Sequence, residues 1–503
     1  MVCLRINDTE ISVTPGTTVL EAAAGLGIEI PAMCYKEGHH CHPSCMVCLV
    51  SDAHTGKLFT SCAMPVAEGM HILTDAPEVI EARRDALELL LSEHVGDCEA
   101  PCRLSCPAFM DIPQMNRLIA AGNFEKALEV VRADIALPLV MGYICPAPCE
   151  KACYRKKIDG AVSICLLKRI TAAENPGIIP ILDHSQRSGK TVVVIGTGPA
   201  GLSAAFYLLR AGHHCILYDK NELPGGSLRY AVPDDRLPKE MLDLDIEVIR
   251  RMGGDFRMNT EVTPVVYKEI VDSSDAVVIA VGHRLVESMS EFSYELDPKV
   301  FVCANIIHKH SMAIASAAMG KRFALETDQY LTGKARRHRL KFNSKISHIT
   351  SVELEEYLKE SIPGARTEPE KGFMQGFGKE EAEAEAARCL HCDCRKAADC
   401  RLRIFSDAYH VDRKKYAGDT RKLLTKEFRH EEIVFEPQKC IRCGLCIEIA
   451  GKDKEKAGLT YIGRGFAVEI GIPFHKSLQE TLTRMAADCV HACPTAAIAF
   501  KKD

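Results

Sequence analysis

Tryptophan is missing from all 503 residues, and that absence excludes nothing. Other absences are informative. There is no basic excess: 63 lysines and arginines face 68 acids, leaving a net charge of -5, which argues against a nucleic-acid partner. No acidic tail supplies a solvating arm. The longest charge-free stretch, 191–209, is interrupted by Gly196, Gly198, Pro199 and Gly201, so it reads as a buried strand, a turn and a helix, with no membrane span. Arg5 and Asp8 come before any apolar run, which predicts no signal peptide and a cytoplasmic protein. A chain this long is expected to form several domains.

Cysteine is what the sequence has in abundance. The 24 residues fall mostly in four clusters with short internal spacings. In a large chain without a leader, such clusters point to metal or iron-sulfur ligation and away from a disulfide framework.

Residues 1–78 begin with alternating Val2, Leu4 and Ile6, a turn at Asn7-Asp8, then Ile11 and Val13, which predicts a hairpin; Thr17 is expected to cap a short helix through Ala24. The cysteines follow as Cys34-x10-Cys45-x2-Cys48-x13-Cys62. A 2Fe-2S cluster needs four thiolates, commonly one tight pair with outlying partners. This spacing resembles the N-terminal domain of iron-only hydrogenases and of the large iron-sulfur subunit of complex I, which implies a β-grasp ferredoxin-like domain. Cys41 reads as a bystander, and His39, His40 and His42 as solvated loop histidines.

Residues 79–188 carry a helical pattern from Pro77 through Leu91, then His94-x3-Cys98-x3-Cys102-x3-Cys106, and later Cys145-x3-Cys149-x3-Cys153 and Cys165. Seven cysteines and His94 make eight ligands, the number two 4Fe-4S clusters require. The segment resembles the N-terminal domain of the glutamate synthase small subunit and of dihydropyrimidine dehydrogenase. That resemblance implies interleaved ligands: Cys98, Cys102 and Cys153 for one cluster, Cys106, Cys145 and Cys149 for the other. An expected leading cysteine is missing. His94 stands where the large subunit of complex I uses a histidine ligand, and Cys165 stands near the family's carboxylate or amide ligand.

Residues 189–335 contain an apolar strand opening into Gly196-Thr-Gly198-Pro-Ala-Gly201, and a second strand ending in Asp219. The glycines let backbone amides approach a pyrophosphate at a helix N-terminus, and the acid is placed to bond a ribose hydroxyl. Gly225, Gly226, Arg236 and the return strand to Gly282 resemble the FAD domain of the glutamate synthase small subunit. This implies FAD in a Rossmann-type fold. The family's NADPH-binding insert is absent: 16 residues separate Gly282 from Lys299, and no second GxGxxG occurs. Asn305 stands where the family has an acidic residue near the flavin.

Residues 336–430 read as a linker, with short helices over 350–380 and a Glu/Ala-rich helix from Lys379 leading to Cys389-x2-Cys392-x-Cys394-x5-Cys400. These four thiols suit either a 4Fe-4S cluster or zinc. Residues 431–503 carry Cys440-x2-Cys443-x2-Cys446 and a distant Cys493-Pro494, the ligand set of one 4Fe-4S cluster in a ferredoxin-like domain. Ala450, Thr483 and Ala486 occupy positions that would serve a second cluster. The ending resembles complex I-type and formate dehydrogenase iron-sulfur domains.

The expected architecture is therefore multidomain, α+β and α/β. The expected cofactors are one 2Fe-2S cluster, three 4Fe-4S clusters with a fourth as one reading of Cys389–Cys400, and FAD. No catalytic residue is evident. These features imply an electron-transfer subunit whose partner is a hydrogenase, a formate or aldehyde dehydrogenase, or an NAD(P)H-flavin module, with ferredoxin as a further carrier. The alternative is a self-sufficient NAD(P)H-dependent flavin oxidoreductase.

Overall fold

The computed structural model describes residues 1–175, 178, 188–281, 297–303, 312–334, 339–346, 348–418, 420–452 and 455–501. The chain divides into two compact units, neither of which is a single stretch of sequence. One takes residues 1–99, 339–359 and 392–503, and the other takes 100–338 and 360–391.

In the first unit, β1 (Val2–Ile6) and β2 (Thr9–Val13) form the expected antiparallel hairpin, with Asn7 at φ 50 in the turn. With β3 (Leu49–Asp52), β4 (Leu58–Thr60) and β5 (His71–Leu73) they make a mixed sheet in the order β2-β1-β5-β3-β4. The helix Val19–Gly25 lies against it with Val19, Leu20, Ala22 and Ala23 buried. Its cap is Thr18, one residue later than predicted. The Thr18 hydroxyl accepts the Glu21 N–H, the Glu21 carboxylate accepts the Thr18 N–H, and the Thr17 hydroxyl pairs with Thr14 instead. The helix Pro77–Ser92 buries Leu87 and Leu91, and its Arg83 reaches the Leu49 carbonyl at 2.8 Å. The C-terminal part of this unit pairs the strands Ile433–Phe435 and Ile498–Phe500 around the helices Leu445–Lys452 and Ala486–Ala492.

The second unit begins with short helices: Pro101–Ser105, Ile112–Ala120, Phe124–Asp134, Pro138–Ile144, Pro148–Ala152 and Ile164–Ala173. Asp111 and Asn123 cap two of them by accepting the N–H groups of Gln114 and Lys126. A parallel sheet follows, β6 (Thr191–Ile195), β7 (His214–Tyr218), β8 (Asp255–Arg257), β9 (Ala276–Ile279) and β10 (Val300–Val302), in the order β10-β9-β6-β7-β8. The central strands read as unbroken apolar runs because helices cover both faces of such sheets. Gly320, on the helix Ala313–Thr332, admits the backbone of the helix Pro199–Arg210; a side chain there would strike the Ala200 carbonyl.

Of the short helices expected over 350–380, Ser351–Leu358 forms, capped reciprocally by Thr350 and Glu353, while residues 360–378 hold no helix among the described residues because Pro363, Gly364, Pro369, Gly372 and Gly376 break it. Side chains fix this segment instead. The Arg388 guanidinium donates to the Gly364 carbonyl at 2.9 Å, and Glu385 accepts the N–H groups of Thr367 and Ser163, each at 2.8 Å. Arg155, fully buried, pairs with Asp159 at 2.7 Å and donates to the Ser361 hydroxyl and the Ile362 carbonyl. Among the described residues no helix is long and apolar enough to cross a membrane.

Candidate redox centres

None of the 24 cysteines, all of them among the described residues, is in a disulfide. In the first unit the loop after the helix Val19–Gly25 delivers Cys34, and the edge of β3 delivers Cys45 and Cys48; Cys62 follows β4. Cys34 Sγ lies 3.4 Å from Cys45 Sγ, and all four predicted ligands are buried. Cys41 joins them: the thiols of Cys34, Cys41 and Cys62 lie within 4.8 Å of one another. Hydrogen bonds from Cys45 and Cys62 hold the Cys34 thiol far below its ordinary range, and the same contacts push Cys45 and Cys62 up. Cys48 is lowered to about 7 by its bond with Cys62. A dry pocket of mutually bonded thiols suits iron, whose positive charge replaces the shared protons.

A second set forms in the helical part of the second unit. Cys145 and Cys149 flank the turn into Pro148–Ala152, Cys106 ends Pro101–Ser105, and Cys165 lies in the first turn of Ile164–Ala173. Cys165 bonds to both Cys145 and Cys149. The bond with Cys145 pulls its pKa down, while Cys149 and burial carry it up to about 12. Lys168, one turn on, is buried with Nζ 3.9 Å from Cys165 Sγ and 2.9 Å from the Met141 carbonyl. Burial opposes its charge, but Cys165, Cys145, Cys149 and Cys106 raise its pKa beyond the ordinary lysine value. Four thiols acting on one buried ammonium, three of them bonded together, form a donor set that fits a 4Fe-4S cluster. Cys102, Cys153 and Cys389 belong to the same unit, Cys102 and Cys389 buried and Cys153 half-buried.

Cys98, His94, Cys392, Cys394 and Cys400 belong to the first unit. The Cys394 N–H donates to the Cys98 carbonyl at 3.2 Å, and the Cys98 thiol accepts the Ser344 N–H at 3.3 Å. Cys400 is raised by burial and then by the charges of Cys394 and Cys98. The buried Lys439, ion-paired to Glu436, acts electrostatically on His94, Cys98 and Cys394 alike. Burial, helped by Lys439 and Arg413, lowers His94 to about 3, so its imidazole is neutral. Its Nδ1 is buried with no hydrogen-bond partner, the state of a ring nitrogen able to bind iron. The proximity of Cys98 to Cys394 has no signal in sequence spacing, since about 300 residues separate them.

Cys440, Cys443, Cys446 and Cys493 line one cavity with Ile470 and Pro494. Burial and the neighbouring thiols push Cys446 well above the ordinary thiol range. The Arg442 N–H, presented by a left-handed residue at φ 57, donates to Cys440 Sγ at 3.3 Å. Cys489, buried in the same core as Cys446, donates its thiol to the Cys446 carbonyl at 3.7 Å.

In the parallel sheet, Gly196 at φ +100 turns the chain so closely past Ala280 that any side chain would strike its carbonyl, and Gly201 packs on the Gly196 carbonyl. The Cβ direction of Gly198 is open, and it precedes a helix whose first turn has no side-chain cap, a cradle for an anionic group. Gly225 and Gly226 fold back on this turn, and the Gly225 N–H donates to the Thr197 carbonyl at 3.0 Å. Asp219 accepts four bonds here: from the Thr197 N–H and hydroxyl on one oxygen, and from the Asn221 N–H and amide on the other. Its predicted bond to a ribose would displace one of these. Arg236 is exposed on the loop before Lys239–Arg251. Gly282 and Asn305 lie outside the described residues.

Residues 1–77 match the family of 2Fe-2S iron-sulfur cluster binding domains, 91–176 that of dihydropyrimidine dehydrogenase domain II with its 4Fe-4S cluster, and 194–256 that of NAD(P)-binding Rossmann-like domains. The chain is a mosaic of iron-sulfur and Rossmann-type domains. It is 36% identical over 193 residues to the NADPH-Fe(3+) oxidoreductase subunit beta of Geobacter sulfurreducens, covering 37% of this chain and 28% of that protein. Against the glutamate synthase [NADPH] small chain of Bacillus subtilis it is 35% identical, covering 35% of this chain and 36% of the relative. Against the NAD-dependent dihydropyrimidine dehydrogenase subunit PreT of Escherichia coli it is 33% identical, covering 44% of this mosaic and 53% of the relative. The mosaic thus spans between about a quarter and a half of the length of these curated relatives.

Proposed function

We propose that this chain is an iron-sulfur flavoprotein electron-transfer subunit of a larger cytoplasmic oxidoreductase, relaying electrons between a partner catalytic subunit and another carrier. One observation carries this reading: in the first unit a single apolar core contains Cys34, Cys45, Cys48 and Cys62 together with Cys400 and Cys443. Thiol sets that share a dry core have no need of a diffusing substrate between them. Iron-sulfur clusters bound there supply one-electron exchange. The chain's own part is to hold them by thiolate, to exclude water, and to set their charge environment through buried groups such as Lys168 and Lys439.

On this reading the domains run 1–78, 79–188, 189–335, 336–430 and 431–503. The dinucleotide cradle at Gly196, Gly198 and Gly201 holds FAD, whose chemistry is electron exchange at the flavin ring. With one dinucleotide motif in the sequence, the flavin receives electrons from clusters or from a partner's NAD(P)H module. The partner belongs to the class of hydrogenases, formate or aldehyde dehydrogenases, or NAD(P)H-flavin subunits.

The test is an anaerobic preparation of the full chain, assayed for iron, zinc, sulfide and flavin and titrated by EPR against potential. Several separately reducible iron centres are expected, with no flavin bleaching when NADPH is added alone. Colourless protein without sulfide would overturn the proposal. Prompt bleaching by NADPH would favour the self-sufficient flavoenzyme.

A further inference from the structure

The thiol pocket of residues 34–62 holds one sulfur more than its cluster needs. A 2Fe-2S cluster takes four thiolates. Cys34, Cys45, Cys48 and Cys62 supply them, yet the Cys41 thiol lies with those of Cys34 and Cys62 inside a 4.8 Å group. It is half-buried and packs on the same core as the other four. The exposed Cys3, by contrast, is spent on a 3.0 Å contact with the Ser12 hydroxyl at the sheet edge.

Cys41 sits on a stretch, 39–44, without regular secondary structure. Such a loop can shift a side chain by an ångström or two without breaking a ladder. It is tethered at two points to the helix Leu445–Lys452. His42 Nε2 meets Glu448 Oε1 at 2.8 Å, and Lys452 donates to the Gly38 carbonyl at 3.1 Å. These tethers fix the loop on either side of Cys41, so its approach to Cys34 and Cys62 is part of the fold.

Resting on the 2Fe-2S reading of this pocket, we propose that Cys41 is an alternative fifth iron ligand, able to take the iron position of Cys34 or of Cys62. In the exchange, the Cys41 thiol loses its proton to water and forms an Fe–S bond. The bond from iron to the outgoing cysteine breaks, and that thiolate takes up a proton from water. The iron and sulfide oxidation states do not change, so no oxidant or reductant is needed.

The test uses the full-length protein, prepared anaerobically, as wild type, Cys41→Ser, Cys34→Ser, Cys62→Ser and the two doubles that combine Cys41→Ser with each. The readouts are iron and sulfide content, the EPR signal of the reduced 2Fe-2S centre at temperatures that broaden 4Fe-4S signals away, and the resonance Raman bands of terminal iron-sulfur bonds. Cys41→Ser is expected to match wild type. At least one of Cys34→Ser and Cys62→Ser keeps full iron and sulfide with an all-sulfur signature, and the matching double shifts to oxygen ligation or loses the centre. The proposal is overturned if both single variants lose the centre, or if each shows the same oxygen-ligated signature as its double. A wild type with no 2Fe-2S signal at all would instead remove the reading on which the proposal stands.

Discussion

The two best-formed thiol pockets balance charge in different ways. In the pocket of Cys34, Cys45, Cys48 and Cys62, the strongest influences on each thiol are the other thiols, with a fifth, Cys41, beside Cys34 and Cys62. Cys106, Cys145, Cys149 and Cys165 instead act together on a buried ammonium, Lys168, which lies 3.9 Å from Cys165 Sγ. The first pocket is therefore assembled for ligand geometry, with sulfur to spare. The second has a fixed positive charge beside the metal site, which favours the more negative, reduced state of any cluster held there. Lys439 also acts on His94, Cys98 and Cys394, but its charge is offset by the buried Glu436 paired with it.

The comparison can be broken most forcefully at Arg155. This guanidinium is fully buried in the second unit and bonded to Asp159, Ser361 and Ile362. Arg155→Met leaves Asp159 with Arg388 as its remaining cation and strips the Ser361 hydroxyl and Ile362 carbonyl of their buried donor, an effect on the order of 2–3 kcal/mol. Denaturant titration should show the signal of the 4Fe-4S centre in this unit lost early, with the 2Fe-2S signal keeping its wild-type midpoint. Simultaneous loss of both would show that the pockets do not stand on separate scaffolds.

Asp245 offers a pH-dependent cut on the same unit. Its carboxyl is buried against the Val140 N–H at 3.0 Å, and burial raises its pKa to about 7. The unfolded group ionises near the ordinary value of about 3.9. Between those values the folded state holds a proton that the unfolded state has lost, so stability falls as pH rises from about 4 to 7, by a few kcal/mol at most. Asp245→Asn should abolish that part of the slope and raise the thermal midpoint above pH 7. An unchanged slope would contradict the assignment.

The smallest expected effect is also the sharpest. Lys168→Met removes a charge 3.9 Å from Cys165 Sγ. At an effective dielectric of about 20, a unit charge at about 4 Å is worth roughly 4 kcal/mol, and its spread over a whole cluster reduces this. We expect the potential of that centre to become more negative by on the order of 100 mV. The 2Fe-2S potential should not move. Equal shifts in both centres would mean that Lys168 acts through the fold and not through its charge.

Much of this was legible along the chain. The alternation of Val2, Leu4 and Ile6, the tight Cys45–Cys48 pair, and the strand-turn-helix at Gly196–Gly201 are local patterns, and local patterns report local structure. The cap expected at Thr17 is at Thr18, and the spacing Thr18-x-x-Glu21, which Thr17 lacks because Leu20 stands three residues on, is the local signal that separates the two. Of the short helices expected over 350–380, Ser351–Leu358 forms, and the stretch after it is broken by proline and glycine and held by the side chains of Arg388 and Glu385.

Residue type and short spacing were enough to mark the candidate thiolate ligands and the Gly196–Gly201 turn, because thiolate supply and glycine geometry are local properties of the chain. Only the tertiary structure decided which thiols meet. Cys41 joins Cys34 and Cys62, Cys165 joins Cys145 and Cys149 around Lys168, and Cys98 meets Cys394. The reason is physical: ligand sets and buried charges are assembled by contacts between distant segments, and such contacts leave no period or spacing along the chain.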